Sequence, residues 1–68
     1  MNTEMLKKIR KEKGFTQEEL GKKLGYKGKS GYSIFESGKI KVDVEKSLKI
    51  KEILDLTQHE YSAIFWGN

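Results

Sequence analysis

Apolar residues along the chain recur at the three- and four-residue spacing of amphipathic helices. Leu6 and Ile9, with Met5 beside them, predict one face of a first helix, and Leu20 and Leu24 predict one face of a second. Three further helices are predicted by the remaining apolar sets, which are Tyr32 and Phe35, then Val44, Leu48 and Leu54, then Tyr61, Ile64 and Phe65. Period-two alternation is nowhere sustained, so the pattern favours an all-α fold with five helices.

Capping signals mark the starts of the predicted helices. Thr16 followed by Glu19 is a capping box, in which two side chains satisfy two otherwise unpaired backbone N–H groups, and Thr57 with Glu60 repeats it. Asp43 is expected to cap the fourth helix. Each capping box is flanked by an apolar pair with the spacing of a hydrophobic staple, Phe15 with Leu20 and Leu56 with Tyr61.

Glycines mark the ends of the predicted helices and one helix crossing. Gly14, Gly25 and Gly38 each follow a periodic segment, where a left-handed residue closes a helix. Gly21 lies inside the second helix, on the side that the third helix must cross, where the missing Cβ lets two backbones approach closely. Tyr26 is expected to fill the turn after Gly25 with its ring.

The third predicted helix has two different faces. Tyr32 and Phe35 anchor its inner face to the core, and its outer face is predicted to carry Lys29, Ser30, Ser33, Ile34 and Ser37. A helix that turns polar and cationic side chains outward is suited to a DNA major groove, where such side chains reach base edges.

Charge is distributed unevenly along the 68 residues, whose formal net charge is +4. Residues 1–41 hold eleven Lys and Arg against five Asp and Glu, whereas residues 42–68 hold three Lys against five Asp and Glu. This asymmetry indicates an anionic partner, such as a nucleic acid, for the first part of the chain. A merely solvated lysine-rich surface remains the alternative at this stage.

Composition excludes several classes of function. There is no cysteine, and the single His59 is expected to face solvent in the fifth helix, so no metal site is predicted. No apolar run reaches membrane-spanning length and no signal core is present, so we expect a cytoplasmic protein without a membrane segment. No nucleophile with an orienting base appears, and Gly28-Lys29-Ser30 lacks the other parts of a phosphate-binding loop. We therefore expect no enzyme, no cofactor and no small-molecule substrate.

Together, these motifs resemble the lambda-repressor-like family of phage Cro-type and Xre-type regulators. The matching segments are Thr16-Gln17-Glu18-Glu19-Leu20 at the start of helix 2, Leu24-Gly25 at the turn, Phe35-Glu36-Ser37-Gly38-Lys39 at the end of helix 3, Val44 to Leu56 at helix 4, and Ile64-Phe65-Trp66 at the close of short prophage regulators. The resemblance covers nearly the whole chain. It implies one compact five-helix DNA-binding domain over residues 1–68, with helices 2 and 3 forming the helix-turn-helix.

The resemblance also implies roles for individual residues. Gln17 would bond a DNA phosphate through its amide and the start of helix 2, a contact that positions the protein without reading sequence. Lys29, Ser30 and Ile34 match base-reading positions, with Ser33 beside them. The full set of predicted DNA-binding residues is Gln17, Lys27, Lys29, Ser30, Ser33, Ile34, Ser37, Lys39 and Lys41, of which Lys39 and Lys41 belong to the loop that follows the DNA backbone.

Arg10 and Glu36 match a family pair that joins helix 1 to helix 3, and we expect a partly buried structural ion pair. Three features depart from the family pattern. The span from Gly25 to Glu36 is one residue longer than usual, which leaves the register of the base-reading positions open by one residue. Gly28 and Gly31 weaken the start of helix 3. Ser47 and Lys51 stand where apolar or small residues are usual, and they lie either at a partner surface or, for Lys51, with a buried stem and a solvated amine.

The expected function is that of a sequence-specific regulator of transcription, a small prophage-type repressor that binds double-stranded DNA as a homodimer, at least on DNA. The alternative is a protein-interaction module, such as an antitoxin that binds a partner protein, and a large apolar patch from helix 4 to helix 5 would favour it. RNA binding is a third option, disfavoured because the basic face lacks stacking aromatic residues. Phe65 is expected in the core, and for Trp66 core packing and a dimer contact both stay open.

Overall fold

Five short α-helices account for most of the chain in the computed structural model, which describes residues 1–67. The helices are α1 (Thr3–Glu12), α2 (Gln17–Lys23), α3 (Lys29–Glu36), α4 (Val44–Ile53) and α5 (Gln58–Phe65). No strand occurs within residues 1–67. The predicted all-α fold of five helices is therefore confirmed, with α2 and α3 adjacent in sequence and in space.

Side-chain caps begin four of the five helices. Both predicted capping boxes are present, each with hydrogen bonds of 2.9 and 3.0 Å between the threonine residue and the glutamate residue. Asp43 accepts from the backbone N–H groups of Glu45 and Lys46, as predicted for a cap of α4, and Asn2 caps α1. The exception is α3, because its N-cap is Gly28, which has no side chain to offer. The start of α3 therefore depends on packing.

The crossing of α2 over α3 depends on Gly21, as predicted. A Cβ atom at Gly21 would lie 2.9 Å from the Tyr32 Cβ and 3.4 Å from the Gly28 carbonyl oxygen, so a larger residue would force the two helices apart. Gly25 then ends α2 with a φ of +97°, a left-handed conformation that favours glycine. The predicted left-handed conformations at Gly14 and Gly38 are also present.

The hydrophobic core takes side chains from all five helices and from the α4–α5 connection. Its fully or almost fully buried members are Leu6, Ile9, Leu20, Leu24, Tyr32, Phe35, Ile50, Leu54, Leu56, Tyr61, Ile64 and Phe65. The backbone N–H of Asn2 donates to the carbonyl of Ile64 over 2.6 Å, so α5 returns to the start of α1. Phe65 lies in the core as predicted, whereas the side chain of Trp66 is 46% exposed.

The predicted inward face of α4 is wrong in two of its three residues. Val44 and Leu48 are 53% and 50% exposed, and the buried residues are Ser47, Ile50 and Leu54. Ser47 tolerates burial because its hydroxyl donates to the Val44 carbonyl over 2.7 Å and lies 2.9 Å from the Tyr61 hydroxyl. Ser47, with its hydroxyl hydrogen-bonded, thus takes the central inward position of α4. The expectation that it lies at a partner surface is wrong.

Lys51 also occupies a defined place on α4. Its Nζ lies 5.3 Å from the centre of the Tyr61 ring and donates to the Gln58 Oε1 over 2.8 Å. The side chain is half-buried while its amine reaches the surface, which agrees with the expectation of a buried stem. On the opposite flank of the same helix, Lys46 lies over the Tyr26 ring at 5.3 Å. The two lysines hold α4 against α5 and against the turn before α3.

Candidate nucleic-acid interface

The turn between α2 and α3 is closed by backbone hydrogen bonds and filled by one aromatic ring. The Tyr26 N–H donates to the Gly21 carbonyl over 2.9 Å, immediately after the left-handed Gly25. The Tyr26 ring packs edge-on to Tyr32, with ring centres 6.4 Å apart. A Cβ atom at Gly31 would lie 2.6 Å from the same ring, so Gly31 makes room for it inside α3. The predicted helix-turn-helix is thus a packed unit.

The inner face of α3 consists of Tyr32, Phe35 and Glu36, which are all buried. Ser30, Ile34 and Ser37 lie on the opposite side of the helix and are exposed. Lys29 and Ser33 lie on the flank nearer Glu36, where Lys29 is exposed and Ser33 is half-buried. At 100° per residue, Ser30 and Ile34 lie nearest the centre of the opposite side, and Ile34 contributes an apolar side chain that is 50% exposed. The described residues leave this face uncovered, so an incoming ligand meets a polar surface of one helix.

Behind α3, a buried ion pair joins three elements. Arg10 of α1 donates from Nε and Nη2 to the two carboxylate oxygens of Glu36, over 2.8 and 3.2 Å. The third nitrogen of the guanidinium, Nη1, donates to the Phe15 carbonyl over 2.7 Å. Gln17 of α2 donates from Nε2 to the Glu36 Oε1 over 3.2 Å. Glu36 therefore fixes the position of α3 against α1 and the start of α2, and Arg10 ties the same cluster to the α1–α2 turn.

The Glu36 carboxylate is charged despite its burial. Burial alone raises the pKa of Glu36, but the hydrogen bonds from Arg10 and Gln17 and the positive charge of Arg10 outweigh it, so the pKa lies below its ordinary value. The hydroxyl of Tyr32 is buried beside this carboxylate without a hydrogen bond of standard geometry. Burial and the neighbouring Glu36 raise the pKa of Tyr32, so its hydroxyl stays neutral.

The bond from Gln17 to Glu36 was not foreseen from the sequence, and it changes what Gln17 can offer. One amide N–H is committed to Glu36, which holds the side chain in a fixed orientation. The second amide N–H and the remaining acceptor capacity of the carbonyl oxygen are left for a ligand. No sequence signal pointed to this bond, because the two residues are 19 positions apart.

The loop after α3 begins with a serine whose hydroxyl forms hydrogen bonds with two backbone groups. The Ser37 hydroxyl donates to the Ile34 carbonyl over 2.6 Å and accepts from the Lys39 N–H over 3.3 Å. Lys39, Ile40 and Lys41 then follow as exposed residues, and Lys27 is exposed before α3. None of these three lysines forms a salt bridge with another described residue. The predicted lysines thus lie at both ends of α3, where their charges are free for an anionic ligand.

His59 lies exposed in the first turn of α5. Within residues 1–67, no three His, Cys, Asp or Glu side chains are grouped so as to hold a metal ion. No helix in this part of the chain has the length and apolar character needed to cross a membrane.

Comparison with models of protein families matches residues 6–61 to a family described as helix-turn-helix. The matched segment includes the whole of α2, α3 and α4, together with Arg10, Gln17 and Glu36. No curated protein and no solved structure matches the chain.

Proposed function

Because the chain belongs to the Cro/C1-type helix-turn-helix family of DNA-binding regulators, we propose that it recognises a specific operator with α3 in the major groove. The outward face of α3 supports this proposal most directly. It is polar, uncovered and held from behind by two buried rings and by Glu36. A rigid helix face of this kind is what direct readout of base edges requires.

Within the proposed interface, base reading and backbone binding fall to different residues. Lys29, Ser30, Ser33 and Ile34 are proposed to read bases, with Lys29 suited to a guanine edge and Ile34 to a thymine methyl group. The phosphate-binding residues are proposed to be Gln17, Lys27, Lys39 and Lys41. Ser37 is proposed at the edge of the interface. While its hydroxyl donates to Ile34, it can accept from a base amino group but cannot donate to a phosphate.

This division of labour predicts different defects for Lys39→Ala and Ile34→Ala. Lys39→Ala should weaken binding to specific and random duplexes alike and reduce the slope of log K against log salt by about 0.9, because one phosphate contact is lost. Ile34→Ala should leave that slope unchanged and reduce discrimination at one base position. Titrations at several salt concentrations, with specific and random duplexes, measure both quantities. If the two variants behave alike, the proposed division is wrong.

We further propose that two protomers bind a two-fold operator as a homodimer, in the manner of a short prophage-type repressor. A helix of eight residues reaches only a few base pairs. A useful ratio of specific to genomic binding then requires a second half-site about one helical turn away. Occupation of such an operator would exclude polymerase from an overlapping promoter, which is the proposed route to repression.

A protein-interaction module, such as an antitoxin, is the second candidate. It is favoured by three half-exposed apolar side chains on α4 and at the end of α5, which are Val44, Leu48 and Trp66. Val44 and Leu48 are four residues apart and share one side of α4, but binding sites for partner proteins expose larger apolar patches than three half-exposed side chains. The regulator is therefore preferred.

Selection of duplexes from a random pool tests the proposed function. Recovery of a palindromic motif, with half-sites about one helical turn apart, would support both operator recognition and two protomers for each site. Sedimentation of the selected duplex with the protein then gives the stoichiometry directly. Recovery of no motif would contradict the proposed function and favour the partner-binding candidate.

A further inference from the structure

An open cleft of about 800 Å³ lies beside the start of α3, between α1 and the beginning of α2. The Arg10–Glu36 pair and Gln17 line it. Lys7 and Lys11 also line it. They are four residues apart on α1 and therefore share one side of that helix. The cleft thus joins α1 to the surface proposed for DNA, although no sequence motif had drawn attention to the α1 lysines.

The lining of the cleft is cationic. It carries Lys7, Arg10, Lys11 and Lys29 against only two carboxylates, Glu18 and Glu36. Glu36 is compensated by Arg10 at 2.8 Å, and Glu18 has its own partner, with 3.6 Å between its Oε2 and the Lys22 Nζ. The three lysines of the lining make no salt bridge with any described residue. A concave surface with unpaired charges of one sign concentrates the field and attracts anions.

Lys29 and Gln17 are already placed in the proposed DNA interface, and they line the same cleft as the α1 lysines. Lys39 and Lys41 follow the opposite end of α3. Cationic groups therefore flank α3 at both of its ends.

We propose that Lys7 and Lys11 bind the phosphodiester backbone of the duplex in this cleft, on the strand that passes the start of α3. The other strand is bound by Lys39 and Lys41, so the protein holds the DNA from both sides of the reading helix. The Gln17 amide, oriented by Glu36, supplies a neutral donor in the lining of the same cleft. This inference rests on the proposed function, which it extends to α1.

The matched comparison is between two double variants that each remove two positive charges. Lys7→Gln with Lys11→Gln alters the cleft, whereas Lys23→Gln with Lys49→Gln alters two exposed lysines that lie outside the cleft and outside any salt bridge of the described residues. The cleft variant should lower the salt slope by about 1.8 and weaken binding about tenfold, because two phosphate contacts are lost. The preferred base sequence should not change. The control variant should lower the salt slope by less than half as much as the cleft variant does.

Neutral methylphosphonate linkages, placed in one strand of the duplex at a time, locate the contact. Neutralising the phosphates near the start of α3 should weaken the wild-type protein and Lys39→Ala equally, and should cost the cleft variant little further affinity. Thermal unfolding of each variant establishes that folded protein was titrated. If the cleft variant fails to fold, the effect of the methylphosphonates on the wild-type protein alone tests the proposal.

Equal losses in the two double variants would overturn the proposal, because net charge alone would then explain them. A wild-type protein that is insensitive to methylphosphonates near α3 would also overturn it. In both cases the proposed function survives if Lys39→Ala still lowers the salt slope. If the wild-type protein binds no duplex in preference to another, the proposed function itself fails.

Discussion

Replacing Arg10 with alanine is expected to lower the free energy of unfolding by about 3–5 kcal/mol, because a buried carboxylate loses its charge partner. The variant leaves Glu36 fully buried, with Gln17 as its only remaining hydrogen-bond partner among those identified. It also removes the donor to the Phe15 carbonyl. A domain of this size has a total stability of about 3–10 kcal/mol. The loss is therefore a large share of the total, and urea denaturation should show a transition at a much lower urea concentration than in the wild type.

A double variant, Arg10→Met with Glu36→Met, separates the lost charge pairing from lost packing. Apolar replacement of both partners of a buried ion pair is often neutral or stabilising, so this variant should recover at least half of the loss. If it is as unstable as Arg10→Ala, packing of the arginine side chain rather than the stranded charge is responsible.

The pH dependence provides an independent check on Arg10→Ala. In the wild type the pKa of Glu36 lies below its ordinary value, so the stabilisation by this pair is present above that ordinary value and is lost as the pH falls through the lower, folded pKa. In Arg10→Ala, burial without the arginine should raise the pKa of Glu36, so protonation on acidification relieves the stranded charge. The stability difference between the two proteins should therefore narrow at acidic pH, and a constant difference would contradict the electrostatic explanation.

Ser30→Glu is expected to weaken DNA binding about 100-fold while the protein stays folded, because it places a like charge against the phosphates and base edges, at a cost of several kcal/mol. Ser30 lies at the centre of the exposed side of α3 and in the first turn of the helix. A carboxylate in the first turn of a helix is mildly favourable for the helix itself. Circular dichroism and thermal unfolding should thus be unchanged while affinity for the selected duplex collapses.

Gln58→Glu is the matched control for Ser30→Glu. It makes the same one-unit change in charge, also in the first turn of a helix, but on α5 and at an exposed position. It should cost less than about threefold in affinity, since an exposed charge remote from the duplex is screened by salt. Equal losses in the two variants would mean that α3 does not face the DNA.

Local signals were sufficient to predict the boundaries and faces of several elements. The capping box of Thr16 and Glu19 joins residues three positions apart, so its hydrogen bonds follow from the chain geometry of a helix start. The outward face of α3 could be predicted because Tyr32 and Phe35, the two aromatic residues of the segment, settle which side turns inward.

Features that depend on distant partners could not be predicted. Val44 and Leu48 have the spacing of an inward face, and burial of a serine in their place is satisfied in part by the Tyr61 hydroxyl, 14 residues beyond Ser47. Apolar periodicity carries no information about such a partner. The bond between Gln17 and Glu36 and the position of the α1 lysines beside α3 could not be predicted for the same reason. Each depends on the relative position of helices, which the whole core sets.

The eight-residue length of α3 and its uncapped start at Gly28 have a consequence for how recognition can be altered. Isolated helices shorter than about 12–15 residues are marginal in water, so a synthetic peptide that contains only α3 would be a random coil and would not read DNA. The reading surface exists only while the body of the protein imposes it. Destabilising the core, for example at the hydrogen bond between Asn2 and Ile64 that joins α1 to α5, therefore reduces operator occupancy. Residues that do not contact the duplex thus affect regulation indirectly.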